Sequence, residues 1–162
     1  GKYEYRAVRY RKAIETMLAN GLDDSMTIFD VGAGMTEFDY TLRAEYGWRG
    51  RYIPIDGGID GTDLNEWVPS RDVHWFVALE ILEHLHDPYR LAQQMQRHAT
   101  QGVIFSTPNP ATTDVLGMDP THVVEVDETR MNMLGFHVKW ETFYGGVFSG
   151  GRPDSLFGAW TR

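Results

Sequence analysis

Residues 27–34 read Thr-Ile-Phe-Asp-Val-Gly-Ala-Gly, a short β-rich run that ends in two closely spaced glycines. A strand that runs into such a turn, with a helix beyond it, opens a βαβ unit and commits the chain to a sheet flanked by helices. That helix is expected over residues 36–46, closed by Gly47. The next strand is expected at Arg51-Tyr52-Ile53-Pro54-Ile55-Asp56, again ending in an acid. The runs from His74 to Leu79 and from Val103 to Phe105 are continuously apolar, as in strands covered on both faces. A helix over residues 88–98 separates them. Upstream, Ala7, Tyr10, Ile14, Met17 and Leu18 recur at helical spacing, and Asn20-Gly21 supplies a stop.

The tail changes period. Residues 135–144 alternate like an antiparallel strand, 149–154 form a loop, and 156–161 return. The expected fold class is α/β: a Rossmann-like, doubly wound, mostly parallel sheet with a C-terminal antiparallel hairpin, in three αβα layers. No repeat, linker or low-complexity tract divides the chain, so residues 1–162 are read as one domain.

Composition removes several chemistries. The chain has no cysteine, which excludes disulfides, thiolate metal sites and a cysteine nucleophile. A net charge of -8 disfavours a broad phosphate-tracking surface. Arg6, Arg9, Arg11 and Lys12 form a local basic cluster, read as the solvated face of a helix. No run has the length of a membrane span, and no signal-peptide pattern is visible, so a cytoplasmic location without a membrane partner is expected.

The glycine loop and the acid after the second strand define a ligand. Glycine allows positive φ and close approach to the backbone, and a helix start favours a negative group. A dinucleotide fingerprint needs a third glycine at position 37, where the chain has Glu37, a charge that repels pyrophosphate. Asp56 lies 22 residues after Gly34, where an acid can accept both hydroxyls of a ribose. Together these features suit an adenosyl ligand other than NAD.

Four blocks then carry a resemblance: Phe29-Asp30-Val31-Gly32-Ala33-Gly34, Ile55-Asp56, Ala78-Leu79-Glu80-Ile81-Leu82-Glu83-His84-Leu85-His86-Asp87-Pro88, and Phe105-Ser106-Thr107-Pro108-Asn109. A weaker block follows, from His122 to Val126 and from Met133 to Val138. The chain resembles the class I S-adenosylmethionine-dependent methyltransferases, in the branch with Leu-Glu-x-Leu-Glu-His and Ser-Thr-Pro-Asn motifs. The resemblance implies that Gly32 and Gly34 lie against the methionine portion of the cofactor, with Asp30 bracing the loop. It implies that Asp56 binds the ribose, that Asp63 and Leu64 contact adenine, and that Leu79 and Glu80 face the methyl-transfer pocket. Two departures stand out. Met35-Thr36-Glu37 replaces the usual third glycine, and only six residues separate Asp56 from Asp63, so a helix expected there is deleted.

Glu80, Glu83 and His84 are spaced i, i+3, i+4 and share one face if the segment turns helical. Two carboxylates and an imidazole suit a divalent cation, with His122 as a fourth ligand. This layout is similar to small-RNA terminal 2′-O-methyltransferases and to some quinone O-methyltransferases. His84 is equally a candidate general base. Ser106 to Pro110 is expected to shape the acceptor pocket, and His74, His86, His98 and His137 are given no role. The pairs Gly145-Gly146 and Gly150-Gly151 suggest a mobile hairpin, either a lid or a plain loop. The expected activity is methyl transfer from S-adenosylmethionine to an oxygen or nitrogen. Glu80, His84 and His122 would carry the acceptor-side chemistry, and a small-molecule acceptor is favoured over RNA. The alternatives are a metal-dependent RNA 2′-O-methyltransferase and a non-catalytic binding module of the same shape.

Overall fold

The computed structural model describes residues 2–162. Its strands are β1 (Thr27–Val31), β2 (Arg51–Ile55), β3 (Val73–Leu79), β4 (Ala99–Pro108), β5 (His137–Glu141) and β6 (Ser155–Thr161). Its helices are α1 (Lys2–Ala19), α2 (Glu37–Ala44), α3 (Gly57–Asp60), α4 (Pro88–His98), α5 (Val115–Met118) and α6 (Glu128–Met133), with a single 3-10 turn at Leu82–His84. The strands form one six-stranded sheet in the order β2-β1-β3-β4-β6-β5. The first four strands run parallel, and β6 and β5 complete the sheet antiparallel. This is the α/β sheet with a terminal hairpin that the apolar runs imply.

Alternation along the buried strands divides the core between two faces. Phe29, Val31, Phe76, Ala78, Val103, Phe105 and Leu156 pack with Leu91, Ala92 and Met95 of α4 and Met131 of α6. Ile28, Trp75, Val77, Ile104 and Phe157 pack on the other face with Ala13, Ile14 and Met17 of α1 and Phe38 and Leu42 of α2. The register of β3 on β4 shifts between Val73 and Trp75, and these two residues lie in opposite clusters although two apart in sequence.

Local chemistry sets the element ends. Asp87 caps α4 by accepting from the Arg90 amide at 3.1 Å, and Pro88 sits in its first turn. Thr36 has φ of 59°, so α2 starts one residue later than its pattern suggests. Helix α1 begins earlier than expected, at Lys2. Strand β4 is longer than its apolar run because β6 pairs with it from Gly102 to Pro108. After Asp56 the chain makes only the four-residue α3 before returning to β3, which leaves β2 at the sheet edge. Pro54, which has no amide proton to donate, is tolerated in such an edge strand. No helix among the described residues is long and apolar enough to cross a membrane.

Gly158 faces Phe105 across the β4–β6 pair, and a Cβ there would lie 2.0 Å from the fully buried Phe105 ring. Gly158→Ala is therefore expected to destabilise the fold by about 1–3 kcal/mol through overpacking. Urea unfolding of the two proteins checks this; equal midpoints would show that the ring can yield.

Candidate active site at the carboxyl ends of the central strands

The order of the strands reverses at β1, because β2 follows on one side of it and the parallel β3 lies on the other. In open α/β sheets the crevice for a ligand opens at the carboxyl ends of the strands at such a switch point. The glycine loop follows β1 there and Glu80 follows β3. The Gly32 amide donates to the Ile55 carbonyl at 2.7 Å, and the Gly34 amide donates to Asp56 Oδ2 at 2.8 Å. Asp56 Oδ1 accepts from Gly58 and caps α3. Asp56 thus ties the loop to the end of β2.

The two glycines are required for different reasons. A Cβ on Gly32 would press into the Ile81 side chain at 2.6 Å, so packing demands glycine there. A Cβ on Gly34 would meet nothing within 4 Å, and that residue presents bare backbone to open space. The space is a cavity of about 340 Å³ bounded by Gly32, Gly34, Leu79 and Glu80 below and by Arg6, Arg9 and Tyr10 of α1 above.

Asp30 is buried under the loop and accepts from the Tyr52 hydroxyl. Burial pushes its carboxyl up to about 7, against the lowering effect of the Tyr52 hydrogen bond. Neighbouring Asp39 and Asp56 push in the same direction.

Glu80 leaves β3 with φ of 59°, a left-handed backbone that is uncommon for a non-glycine residue. Its amide is held by the Ser106 carbonyl at 2.9 Å. Its carboxylate accepts from Ser106 Oγ at 3.1 Å and from the Tyr144 hydroxyl, and lies 3.4 Å from Arg9 Nη1. Burial, followed by the charge of Glu80, raises the Tyr144 hydroxyl well above the usual tyrosine range, so Tyr144 remains a donor. Arg9 is only 7% exposed, and its Nε has no hydrogen-bond partner. Arg6 instead binds both carboxylate oxygens of Glu37, at 2.6 and 2.7 Å.

The reading of the basic cluster as a solvated face is therefore corrected at Arg9, which is buried over the glycine loop, whereas the Arg6 side chain stays 38% exposed. The clue was available, since Arg9, Ala13 and Met17 share a stripe at i, i+4, i+8. Tyr144 carried no such signal.

Glu83, His84 and His122 form a second cluster, with one ligand atom from each within 4.8 Å of the others. Both histidine Nε2 atoms lie 3.8 Å from Glu83 Oε2. His122 Nδ1 faces the Val115 carbonyl at 2.6 Å, and His84 Nδ1 faces the Thr121 carbonyl at 3.1 Å. A carbonyl only accepts, so each Nδ1 donates, and in a neutral ring Nε2 is the free acceptor. Glu83 Oε1 accepts from Thr107, while the buried Oε2 has no partner. Burial and then the Glu80 charge push the Glu83 carboxyl well above the usual carboxylate range. The expected helical face is not formed: the 3-10 turn starts at Leu82, and Glu80 points to Arg9 and Tyr144, outside the cluster of Glu83, His84 and His122.

The remaining expected site residues divide. Leu79 borders the cavity. Asp63 caps the Asn65 amide at 3.0 Å, whereas the Leu64 side chain is buried in the core and its carbonyl accepts from Arg90. Ser106 and Thr107 each hold one of the two glutamates. The glycine-rich loop after β5 is tied down: the buried Asp154 carboxylate accepts from the amides of Phe143, Tyr144 and Gly146.

No protein-family model matches the sequence, and no curated protein sequence matches it. Solved structures do. A chain of the Haloferax volcanii complex between the Trm112 methyltransferase activator and a putative methyltransferase superposes with a TM-score of 0.69 at 10% identity, covering 98% of this chain and 89% of that one. An S-adenosylmethionine-dependent methyltransferase from Mesorhizobium loti gives 0.64 at 16% identity, over 91% and 96% of the two chains. The N-methyltransferase NodS from Bradyrhizobium japonicum, in complex with S-adenosyl-L-homocysteine, gives 0.62 at 14% identity, over 98% and 87%. The chain has the Rossmann-like fold of these proteins.

The raised Asp30 carboxyl has a consequence for stability. The folded form holds this proton up to about pH 7, whereas an unfolded aspartate loses it near pH 4. The folded state then binds more protons, so stability falls as pH rises between those values. Urea titrations from pH 4 to 8 should show this slope in the native sequence and its loss in Asp30→Asn, with a difference on the order of 1 kcal/mol per pH unit.

Proposed function

We propose that this chain is an S-adenosylmethionine-dependent methyltransferase that acts on an oxygen or nitrogen of a small-molecule acceptor. The observation that carries the reading is the cavity where bare Gly34 backbone, Leu79, Glu80 and Arg9 converge at the switch point. These residues fit the cofactor: the glycine cradle leaves open space against bare backbone, where a Cβ on Gly34 would meet nothing within 4 Å. Gly32, Gly34 and Leu79 would hold the methionine portion, with Asp30 bracing the loop. Asp56 would meet the ribose, and Asp63 with the Leu64 backbone would meet adenine. When bound, the cofactor supplies a sulfonium-activated methyl group.

The chain itself must align the acceptor and take its proton. Glu80 is suited to the second task, because Ser106, Tyr144 and Arg9 hold its carboxylate at the cavity wall. His84 and His122 stand behind it as further acceptor-side groups.

A second reading adds a divalent cation. Three potential ligand atoms converge within 4.8 Å, and Glu83 Oε2 is buried without a hydrogen-bond partner. Both histidines donate Nδ1–H to carbonyls, the arrangement that orients a ligating imidazole. Glu83, His84 and His122 would hold the ion, and a rotation of Glu80 would be needed to add it as a fourth ligand. Such an ion supplies Lewis acidity toward an acceptor hydroxyl. The acidic net charge of -8 favours a small acceptor over RNA.

Calorimetric titration with S-adenosyl-L-homocysteine is expected to saturate, NAD to show no binding, and Asp56→Ala to weaken the first by at least about tenfold. Binding of neither ligand would leave a methyltransferase-shaped binding module. For the metal, Mn²⁺ titration followed by electron paramagnetic resonance should show a bound ion that His122→Ala and chelator remove. A spectrum of free Mn²⁺ throughout would reduce the cluster to a structural role.

A further inference from the structure

A second cavity, of about 510 Å³, lies between the first turns of α1 and the loop that follows β5. Arg6 and Arg9 line both this cavity and the one above the glycine loop, so the two voids are neighbours at these side chains. Most of the remaining wall is apolar. Phe143, Tyr144, Val147 and Phe148 come from the loop after β5, and Tyr5 comes from α1. Tyr144 and Phe148 meet edge to face at 5.8 Å. Tyr5, Val147 and Phe148 are 67%, 76% and 48% exposed, so three large apolar side chains stand in water around one opening.

The polar groups beside this cavity are already engaged. Arg6 binds both carboxylate oxygens of Glu37, and Arg9 pairs with Glu80 at 3.4 Å. The Tyr144 hydroxyl also donates to Glu80, which leaves the faces of its ring to the cavity. Arg9 Nε has no partner, but it is sealed from the surface and cannot meet a ligand. No carboxylate lines the cavity among the described residues. Lys2 is exposed, where an ion pair in water contributes little. A charged ligand entering here gives up hydration and finds no free buried partner to replace it. An uncharged apolar ligand exchanges water for aromatic rings, which is favourable.

Resting on the methyltransferase reading, we propose that this second cavity holds the apolar body of an uncharged aromatic acceptor. The ring of the acceptor packs among Tyr5, Tyr144 and Phe148, and its oxygen or nitrogen points past Arg6 and Arg9 into the cofactor cavity. Neutralisation of both arginines by the chain's own carboxylates is what selects against an anion, and the same arginines repel a cation. The volume lies within the range of sites for drug-sized molecules, and its concavity favours a small ligand over the face of a second chain.

Calorimetry on protein saturated with S-adenosyl-L-homocysteine compares 2-naphthol, uncharged at neutral pH, with 2-naphthoate, the same ring carrying a carboxylate. The naphthol is expected to bind at least about tenfold more tightly. Val147→Asp, which sets a charge at the exposed rim, should weaken the naphthol by about tenfold while S-adenosyl-L-homocysteine binds as before. With S-adenosylmethionine labelled in its methyl group, the ring protons of bound naphthol should show a nuclear Overhauser contact to that methyl, or the naphthol should carry the label. Equal or reversed affinities, binding of neither probe, a naphthol affinity unmoved by Val147→Asp, or no contact with the labelled methyl would overturn the proposal. So would a native chain that sediments as a dimer and that Val147→Asp returns to a monomer, because a second copy would then cover the opening. If S-adenosyl-L-homocysteine fails to bind while the preference for naphthol persists, the apolar site stands and the acceptor role falls with the methyltransferase reading.

Discussion

Glu80 leaves β3 with a left-handed backbone and carries its carboxylate into donors from three other elements. Ser106 comes from β4, Tyr144 from the loop after β5, and Arg9 from α1. A carboxylate withdrawn from water is tolerated only when such partners replace the lost hydration. The arrangement in turn fixes its partners. It draws α1 across the glycine loop and holds Tyr144, in the loop after β5, against the end of β3. Without Glu80, Arg9 would be a buried guanidinium with no ion-pair partner among the described residues, 5.3 Å from the Tyr144 ring.

Glu83, three residues on, meets a different environment. It is sealed by Thr107 on one oxygen and faces two imidazole Nε2 atoms with the other. One short segment therefore delivers two carboxylates to opposite ends of a polar seam, one paired with a guanidinium and one poised for a proton or a cation. The difference arises from the backbone turn at Glu80. A continuous helix would have stacked both acids on one face, and the left-handed residue separates them.

Compression elsewhere makes these contacts more important. The chain has no further strand beyond β2 and only one helical turn after Asp56. Asp56 therefore serves both as the cap of α3 and as the clamp on Gly34. Asp154 does the same for the loop after β5, gathering three amides that glycine-rich sequence would otherwise leave to water. The glycine pairs suggested mobility because local sequence carries no trace of an acid that arrives from the far side of a turn.

The strands and most helices were legible in the sequence because apolar period and turn chemistry are local properties. The run Thr27–Val31, the helix Pro88–His98 with its Asp87 cap, and the two-sided burial of β3 all follow from neighbouring residues. The glycine loop and Asp56 were legible for the same reason, since the turn after a strand places them. Strand β4 was underestimated because its ends are held by distant partners, Ala99 by Val73 of β3 and Pro108 by Ser155 of β6. The direction of Glu80 depended on one backbone torsion, and the recruitment of Arg9 and Tyr144 depended on which helix and loop close over the sheet. Sequence by itself determined where the chain is apolar, where it turns and which acids end its strands. Only the tertiary structure decided which buried charges face one another, because ion pairing and burial are set by elements that meet in space after distant segments have packed.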